Sequence, residues 1–313
     1  KFNASGSALL YSTFLGGAGN ETPHSIVSAP NGELYIYGVT SSANFPITTG
    51  AFDNSFNGGP YQLQNELEFN GSDIYVARLN PSGTTLLSST FIGGTGTDGL
   101  NTTTLNYNYG DQFRGEIMLD SLNNVYIASC TRSTNFPTLN AFQANKSAGQ
   151  DGVIFKLNAS FSSLQFSSYY GGNNSDACYS VKLDTLGAIV FAGGTCSNNL
   201  SGTSGAYQPS FQGGKTDGFV VKLVPSGTSI QKASYVGASN YDQVFFVEID
   251  RLNQIFLLGQ SVGGTFPVYN APYSNPGSSQ FILKLNPNLT TNLASTVIGN
   301  GSPSINISPP GMV

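Results

Sequence analysis

Apolar residues in this chain fall in short runs rich in Val, Ile, Tyr and Phe, separated by Gly, Asn, Ser and Thr, and no segment sustains the spacing of an amphipathic helix. Such runs predict strands. Five of them share an ending, a glycine pair or its remnant: YSTFLGG (11–17), SSTFIGG (88–94), FSSYYGG (166–172), KASYVGA (232–238) and ASTVIGN (294–300). A repeat of about 62 to 78 residues therefore organises the sequence.

Three further blocks follow each copy in fixed order. The second block predicts a hairpin: SIVSAPNGELYIYGVT (25–40), EIMLDSLNNVYIASCT (116–131), SVKLDTLGAIVFAGGT (180–195) and FVEIDRLNQIFLLGQS (246–261), each with two apolar runs around a turn such as Pro30-Asn31-Gly32. A loop then carries NFPITTGAF (44–52), NFPTLNAF (135–142) or TFPVYNAPY (265–273), whose proline cannot donate to a ladder and so marks where pairing stops. The last block is a strand running into a turn: SDIYVARLNPSG (72–83), QDGVIFKLNASF (150–161), TDGFVVKLVPSG (216–227) and SSQFILKLNPNL (278–289). Each unit thus has four strands, with the glycine pair closing the first and supplying backbone freedom there.

Several strands are apolar on both faces, as in Ile255-Phe256-Leu257-Leu258 and Val153-Ile154-Phe155, which calls for sheets covered on both sides. Four-stranded units stacked face to face meet that demand, and the expected fold is an all-β propeller of four-stranded blades. A string of sandwiches is the alternative, but the unit falls short of the roughly 100 residues of an immunoglobulin-like domain. The blades are expected at 8–85, 86–163, 164–229 and 230–292, with partial blades at 1–7 and 293–313. Lys1–Gly6 resembles the tail of the fourth block and 293–300 repeats the first, so the expectation is four complete units within a longer polypeptide.

Composition narrows the function. Only 9% of residues are charged, so the wet surface must be built from Asn, Ser, Thr and Gly, and the net charge of −5 argues against nucleic acid. No run approaches the roughly 20 apolar residues that span a bilayer. Three cysteines allow one internal disulfide at most. With the third hairpin centred on Gly187, Cys178 and Cys196 would face each other and bridge. Three reduced thiols acting as small apolar residues fit equally well.

The blocks together resemble the bacterial β-propeller repeat called SBBP, found in large exported proteins: "L-x-Y-S-T-x-L-G-G", "N-x-x-Y-I-x-G-x-T", "N-F-P-x-x-x-x-A-F" and "G-x-D-x-x-V-x-K-L-N-P-S-G" recur in order over nearly the whole chain. The stretches GDQFRGEI (110–117), NYDQVFFVEID (240–250) and SINISP (304–309) are similar to surface proteins of Bacteroidetes that carry a gliding-motility-associated C-terminal domain and leave by type IX secretion. The resemblance implies an extracellular or cell-surface location and no catalytic residues. The third unit departs from it with Asn199-Leu200-Ser201 in place of NFP, and the fourth with Ser279 in place of the block-four aspartate.

Two insertions individualise the chain. PYQLQNELEFN (60–70) brings Tyr61, Glu66 and Glu68, and NTTTLNYNYGDQF (101–113) brings Tyr107, Tyr109 and Phe113. Aromatics among amides suit recognition of carbohydrate or protein, and Tyr61, Glu66, Tyr107 and Tyr109 are the candidate ligand-binding residues. The competing reading is a long loop packing its own aromatics on a blade edge. An acid also recurs four positions after the glycine pair, as Glu21, Asp98, Asp176 and Asp242. These carboxylates are weak candidates for Ca²⁺, because an acid capping the amides of a turn explains a once-per-unit carboxylate as well. Asp73, Asp151 and Asp217, before the last strand, are read the same way, and no cofactor is expected.

His24 is the only histidine, so imidazole catalysis would rest on one residue in a loop. The expected function is a non-catalytic extracellular interaction, adhesion or scaffold module with a protein or glycan partner. The alternative is a glycan-binding or glycan-cleaving protein that uses loop carboxylates and aromatics.

Overall fold

Each sixteen-residue block folds as the expected hairpin. In the computed structural model, which describes residues 1–64 and 66–304, β1 (Glu21–Ser28) pairs antiparallel with β2 (Leu34–Thr40). The residue that reverses the chain takes a left-handed backbone in every copy: Gly32, Asn123, Gly187 and Asn253, with φ of 84°, 60°, 80° and 60°. Gly and Asn tolerate that region best, which explains their recurrence at this one turn position.

Next come the hairpin β3 (Tyr61–Gln64) and β4 (Leu67–Asn70), then β5 (Asp73–Leu79) and β6 (Leu86–Ile92), which complete a sheet in the order β1-β2-β5-β6. A second sheet holds β7 (Glu116–Leu119), β8 (Val125–Thr131), β9 (Asp151–Leu157) and β10 (Leu164–Tyr170). The third holds β11 (Asp176–Leu183), β12 (Ile189–Thr195), β13 (Asp217–Leu223) and β14 (Ile230–Val236). The fourth holds β15 (Asp242–Ile249), β16 (Ile255–Ser261), β17 (Gln280–Leu285) and β18 (Asn292–Ile298). Among the described residues the helical content is one 3₁₀ turn, Asp111–Phe113.

The phase of the units differs from the sequence expectation. The sheets span 21–92, 116–170, 176–236 and 242–298, so each takes its fourth strand from the block placed at the head of the next unit. A tight turn causes this. Asn80, Asn158 and Asn286 each accept backbone amides four and five residues ahead (Thr84 and Thr85, Ser162 and Ser163, Thr290 and Thr291), which folds the last block straight back onto the glycine-ended strand. Asn3 does the same for Ser7 and Ala8, so residues 1–11 form another turn of this build. The glycine pair then carries the chain across to the next sheet. Residues 293–298 belong to β18 of the fourth sheet, 299–304 follow it without a strand, and the remainder of the expected partial blade from 305 on, with most of SINISP, lies outside the described residues.

Contacts between sheets centre on the first strands, β1 with β7, β7 with β11 and β11 with β15. These are the inner strands. Three apolar clusters fill the junctions: Tyr35, Tyr37 and Val76 against Ile127 and Phe155; Tyr126 and Ile154 against Phe191 and Phe219; Val190 and Val220 against Leu257 and Phe281. Val153-Ile154-Phe155 on β9 is buried on both faces for this reason, and β13 is covered at every position, whereas in β16 of the last sheet Ile255 and Leu257 are buried and Phe256 and Leu258 only partly so. The phenylalanine of the loop block is buried too: Phe266 joins the last of these clusters, 3.9 Å from Phe281 between ring centroids, and Phe45 packs 4.5 Å from Tyr75 in a separate cluster with Phe91. One ion pair ties each sheet at its turn end: Arg78 with Glu33, Lys156 with Asp120, Lys222 with Asp184 and Lys284 with Asp250.

Candidate functional site

The inner strands share a β-bulge. The register slips between Pro23 and Ser25, between Cys178 and Ser180, and between Val244 and Phe246. The bulged residues are His24, Tyr179 and Phe245. A bulge re-aims its side chain, and here it feeds one shared space among the inner strands. The second sheet has Gly115 at the equivalent position, where an added Cβ would lie 2.7 Å from the Tyr37 ring.

Residues 101–113 fill that space. Leu105 is fully buried with Tyr179 and Phe245, Phe113 packs 5.8 Å from the His24 ring, and the Arg114 guanidinium lies 3.9 Å over Phe245. The amide of Gln243 donates to the Leu105 carbonyl at 2.8 Å, Asn108 donates to Gln260 at 2.8 Å, and Gln150 donates to Asn101 at 3.2 Å. Asp111 is buried and paired with Arg114, and its second oxygen accepts the Asn108 amide at 2.7 Å. This segment therefore touches all four sheets. It neither stands free as a recognition loop nor packs on a blade edge, because the bulges leave an apolar void that only a buried segment can occupy. Tyr107 stacks on Tyr241 at 4.2 Å yet stays 55% exposed, and Tyr109 is 88% exposed, so the two tyrosines form the outward tip of the plug.

The other insertion sits beside it. Phe69 on β4 is fully buried against Phe113 at 6.2 Å, which joins the two insertions, and the Asn20 amide donates to the Glu68 carbonyl at 2.7 Å. Between this hairpin and the first sheet runs an open groove of about 510 Å³ lined by Asn20, Asn44, Tyr61, Glu68 and Asn70. Tyr61 is half exposed along it, and Glu66 stands exposed at the hairpin turn with φ of 68°. Of the four candidate binding residues, only Tyr61 lines this groove. Asn20, Asn44 and Asn70 were not singled out by sequence, since nothing distinguishes them in an Asn-rich chain.

The once-per-unit acids are junction residues. Asp98 accepts the Gly94 amide at 2.8 Å and the hydroxyls of Ser133 at 2.8 Å and of Thr131. Asp176 repeats this with Gly172, Ser197 and Thr195, and Glu21 with Gly17, Ser42 and Thr40. Asp242 keeps the amide contact, from Ala238 at 2.8 Å. Asn44, Asn135 and Asn199 complete the latch by accepting the amides of Ala18, Thr95 and Asn173. Each carboxylate thus caps the chain as it crosses between sheets, and among the described residues no group of three or more His, Cys, Asp or Glu converges as a metal site. Burial pushes the acids up, Asp98 and Asp176 to about 7 and Asp242 to about 6.

The glycine pair does not supply backbone freedom: the pair glycines at 16–17, 93–94 and 171–172 lack a left-handed φ. They make room. A Cβ on Gly94 would sit 2.7 Å from the Ser133 Cβ, and one on Gly93 would sit 2.6 Å from Asp73 Oδ1.

His24 packs edge-on against Tyr37 at 5.2 Å, and desolvation lowers its pKa to about 3, which keeps the imidazole neutral. No disulfide links Cys178 and Cys196. Cys178 lies opposite Gly193, because the turn closes one residue earlier than a centre at Gly187 and the bulge at Tyr179 shifts the register again. All three cysteines are free, and burial raises the Cys178 and Cys130 thiols far above their ordinary range.

No protein-family model matches the chain, and none of the curated proteins does. Among solved structures, a protein of unknown function from Dyadobacter fermentans matches over 94% of this chain and 69% of its own, at 12% identity and a TM-score of 0.45. The NanB sialidase from Streptococcus pneumoniae matches over 89% of this chain at 10% identity and a TM-score of 0.41, and the chain spans about half of its length, 48%.

Proposed function

We propose that this chain is an arc of a β-propeller of the SBBP type, displayed at the surface of a bacterial cell or exported from it, and that it acts by binding rather than by catalysis. The observation that carries the reading is the groove beside the β3–β4 hairpin, where Tyr61 faces Asn20, Asn44 and Asn70 with Glu68 at one side. A half-exposed ring beside several amides offers an apolar face and a set of directional donors and acceptors, which suits a sugar ring or a peptide. The exposed Leu63, Leu67 and Tyr109 extend the apolar surface of the same two insertions. His24 is neutral, with Nδ1 at 3.4 Å from the Tyr37 hydroxyl and Nε2 buried without a partner, which gives no support to imidazole chemistry. A glycan array combined with a polysaccharide hydrolysis screen tests the proposal. The expected outcome is retention on one glycan class or protein ligand, lost at least tenfold in Tyr61→Ala, with no turnover. Cleavage of any polysaccharide, abolished by Glu68→Gln, would establish the enzymatic alternative instead.

A further inference from the structure

The junction acids come in pairs. The first glycine of each pair lies beneath two buried carboxylates, one from the third strand of the sheet it leaves and one from the crossing into the next. At Gly93 the Cβ position is 2.6 Å from Asp73 Oδ1 and 3.0 Å from Asp98 Oδ2. At Gly171 it is 2.8 Å from Asp151 Oδ1 and 2.7 Å from Asp176 Oδ2, and at Gly237 it is 2.9 Å from Asp217 Oδ1 and 3.1 Å from Asp242 Oδ2. All six aspartates are fully buried.

Within each pair the oxygens have unequal company. In Asp98 and Asp176 both oxygens accept hydrogen bonds, one from the Gly94 or Gly172 amide of the crossing loop and one from the Thr131 or Thr195 hydroxyl of the next sheet, while Asp242 accepts the Ala238 amide on Oδ2. In Asp73, Asp151 and Asp217 one oxygen accepts a backbone amide (Asn57, Ser147 or Gln212) and Oδ1, the one nearest the shared glycine, has no hydrogen-bond partner. Two ionised carboxylates buried over one glycine, one of them with an unpartnered oxygen, repel each other.

The fourth sheet supplies an internal control. The position of Asp73, Asp151 and Asp217 is Ser279, and the position of Asp98, Asp176 and Asp242, six residues past the end of the outer strand, is Ser304. Both acids are replaced together, and the Ser279 hydroxyl donates to the Ser304 carbonyl at 3.1 Å. The two carboxylates behave as one unit.

We propose that each of the three junctions binds one proton between its two aspartates, held at the side of the orphaned Oδ1, and that this proton fastens one sheet to the next. A proton on Oδ1 turns the orphaned, buried acceptor into a donor and removes one of the two charges. A divalent cation fits worse, since six or more oxygens would be needed and the remaining neighbours are N–H and O–H donors. Around the first dyad stand Asp53, Tyr169 and Cys130 with Arg132 beyond it; around the second Lys146, Tyr170, Cys178 and Cys196; Tyr235 faces the second and the third. Only Lys146 and Arg132 among these are cations; burial, with the neighbouring acid adding to it, moves Asp73 and Asp217 to about 8, and burial alone, opposed by Ser147, Lys146 and Gln143, moves Asp151 to about 6.

The sign follows from linkage. The folded chain holds protons that the unfolded chain releases near pH 4, so stability is complete below that pH and falls as pH rises to about 8, by about tenfold in the folding equilibrium constant per pH unit for each retained proton. Carboxyl ¹³C NMR of Asp-labelled protein tests this directly. Three aspartate carboxyls should remain protonated at pH 6 in the folded chain, and ionisation of all six below pH 5 would overturn the proposal. Melting gives the second arm: Asp73→Asn, with an amide that can donate to Asp98, should melt near the wild type at pH 5 and above it at pH 9. Equal loss at both pH values would overturn the proposal, as would a rise in wild-type melting temperature on adding CaCl₂ at pH 8 that Asp73→Asn abolishes. Asp151→Asn repeats the test on the second dyad if the first variant does not fold.

Discussion

A buried carboxylate over a glycine shows how a single side-chain hydrogen decides a position. Gly171 has an ordinary backbone, so alanine would meet no conformational penalty, yet its methyl would lie 2.7 Å from Asp151 and Asp176. We expect Gly171→Ala to destabilise the chain by about 1–3 kcal/mol, the usual cost of overpacking, read as a shift in the urea midpoint at constant slope. Burial also offsets strain elsewhere: Phe161 and Leu289 occupy left-handed backbone at φ of 57° where other copies of the turn use Gly83 and Gly227, and both side chains are fully buried. The thiols give a direct check on the register of the third hairpin. In the native protein a thiol reagent should modify Cys196 first, leave Cys130 and Cys178 protected, and reach all three only on unfolding; a mass two daltons below that of the reduced chain would contradict free cysteines.

At the scale of elements, the hairpins, their turn residues and the four-strand unit were legible in the sequence because each depends on neighbours within about a dozen residues. The phase of the unit was not. A repeat has no intrinsic origin, and the glycine pair that reads as the end of a first strand is the exit from a fourth. The acids at Asp98 and Asp176 were visible as a once-per-unit feature, but their pairing with Asp73 and Asp151 spans 25 residues and two sheets. A trace of it existed in the joint change to Ser279 and Ser304. The role of residues 101–113 was invisible, since it depends on a void created by three bulges. Leu105→Ala should cost about 2–5 kcal/mol, as for other fully buried leucines, and far more than truncating the exposed Tyr109. Equal effects in chemical denaturation would place the segment outside the core.

For the whole molecule, most packing joins sheets adjacent in the chain. Stability in such a stack approximates a sum of unit and nearest-neighbour terms, and units at either end can open separately. The segment 101–113 breaks that rule, because Phe113 packs on His24 of the first sheet while Leu105 packs on Tyr179 of the third and Phe245 of the fourth and accepts the Gln243 amide, joining the first sheet to sheets that it does not otherwise face. It acts as a keystone: a load on any sheet is passed through one central point rather than along the row. The natural chain should therefore unfold in a single cooperative step, whereas a chain with residues 101–113 replaced by a short glycine-serine link should lose its sheets piecemeal.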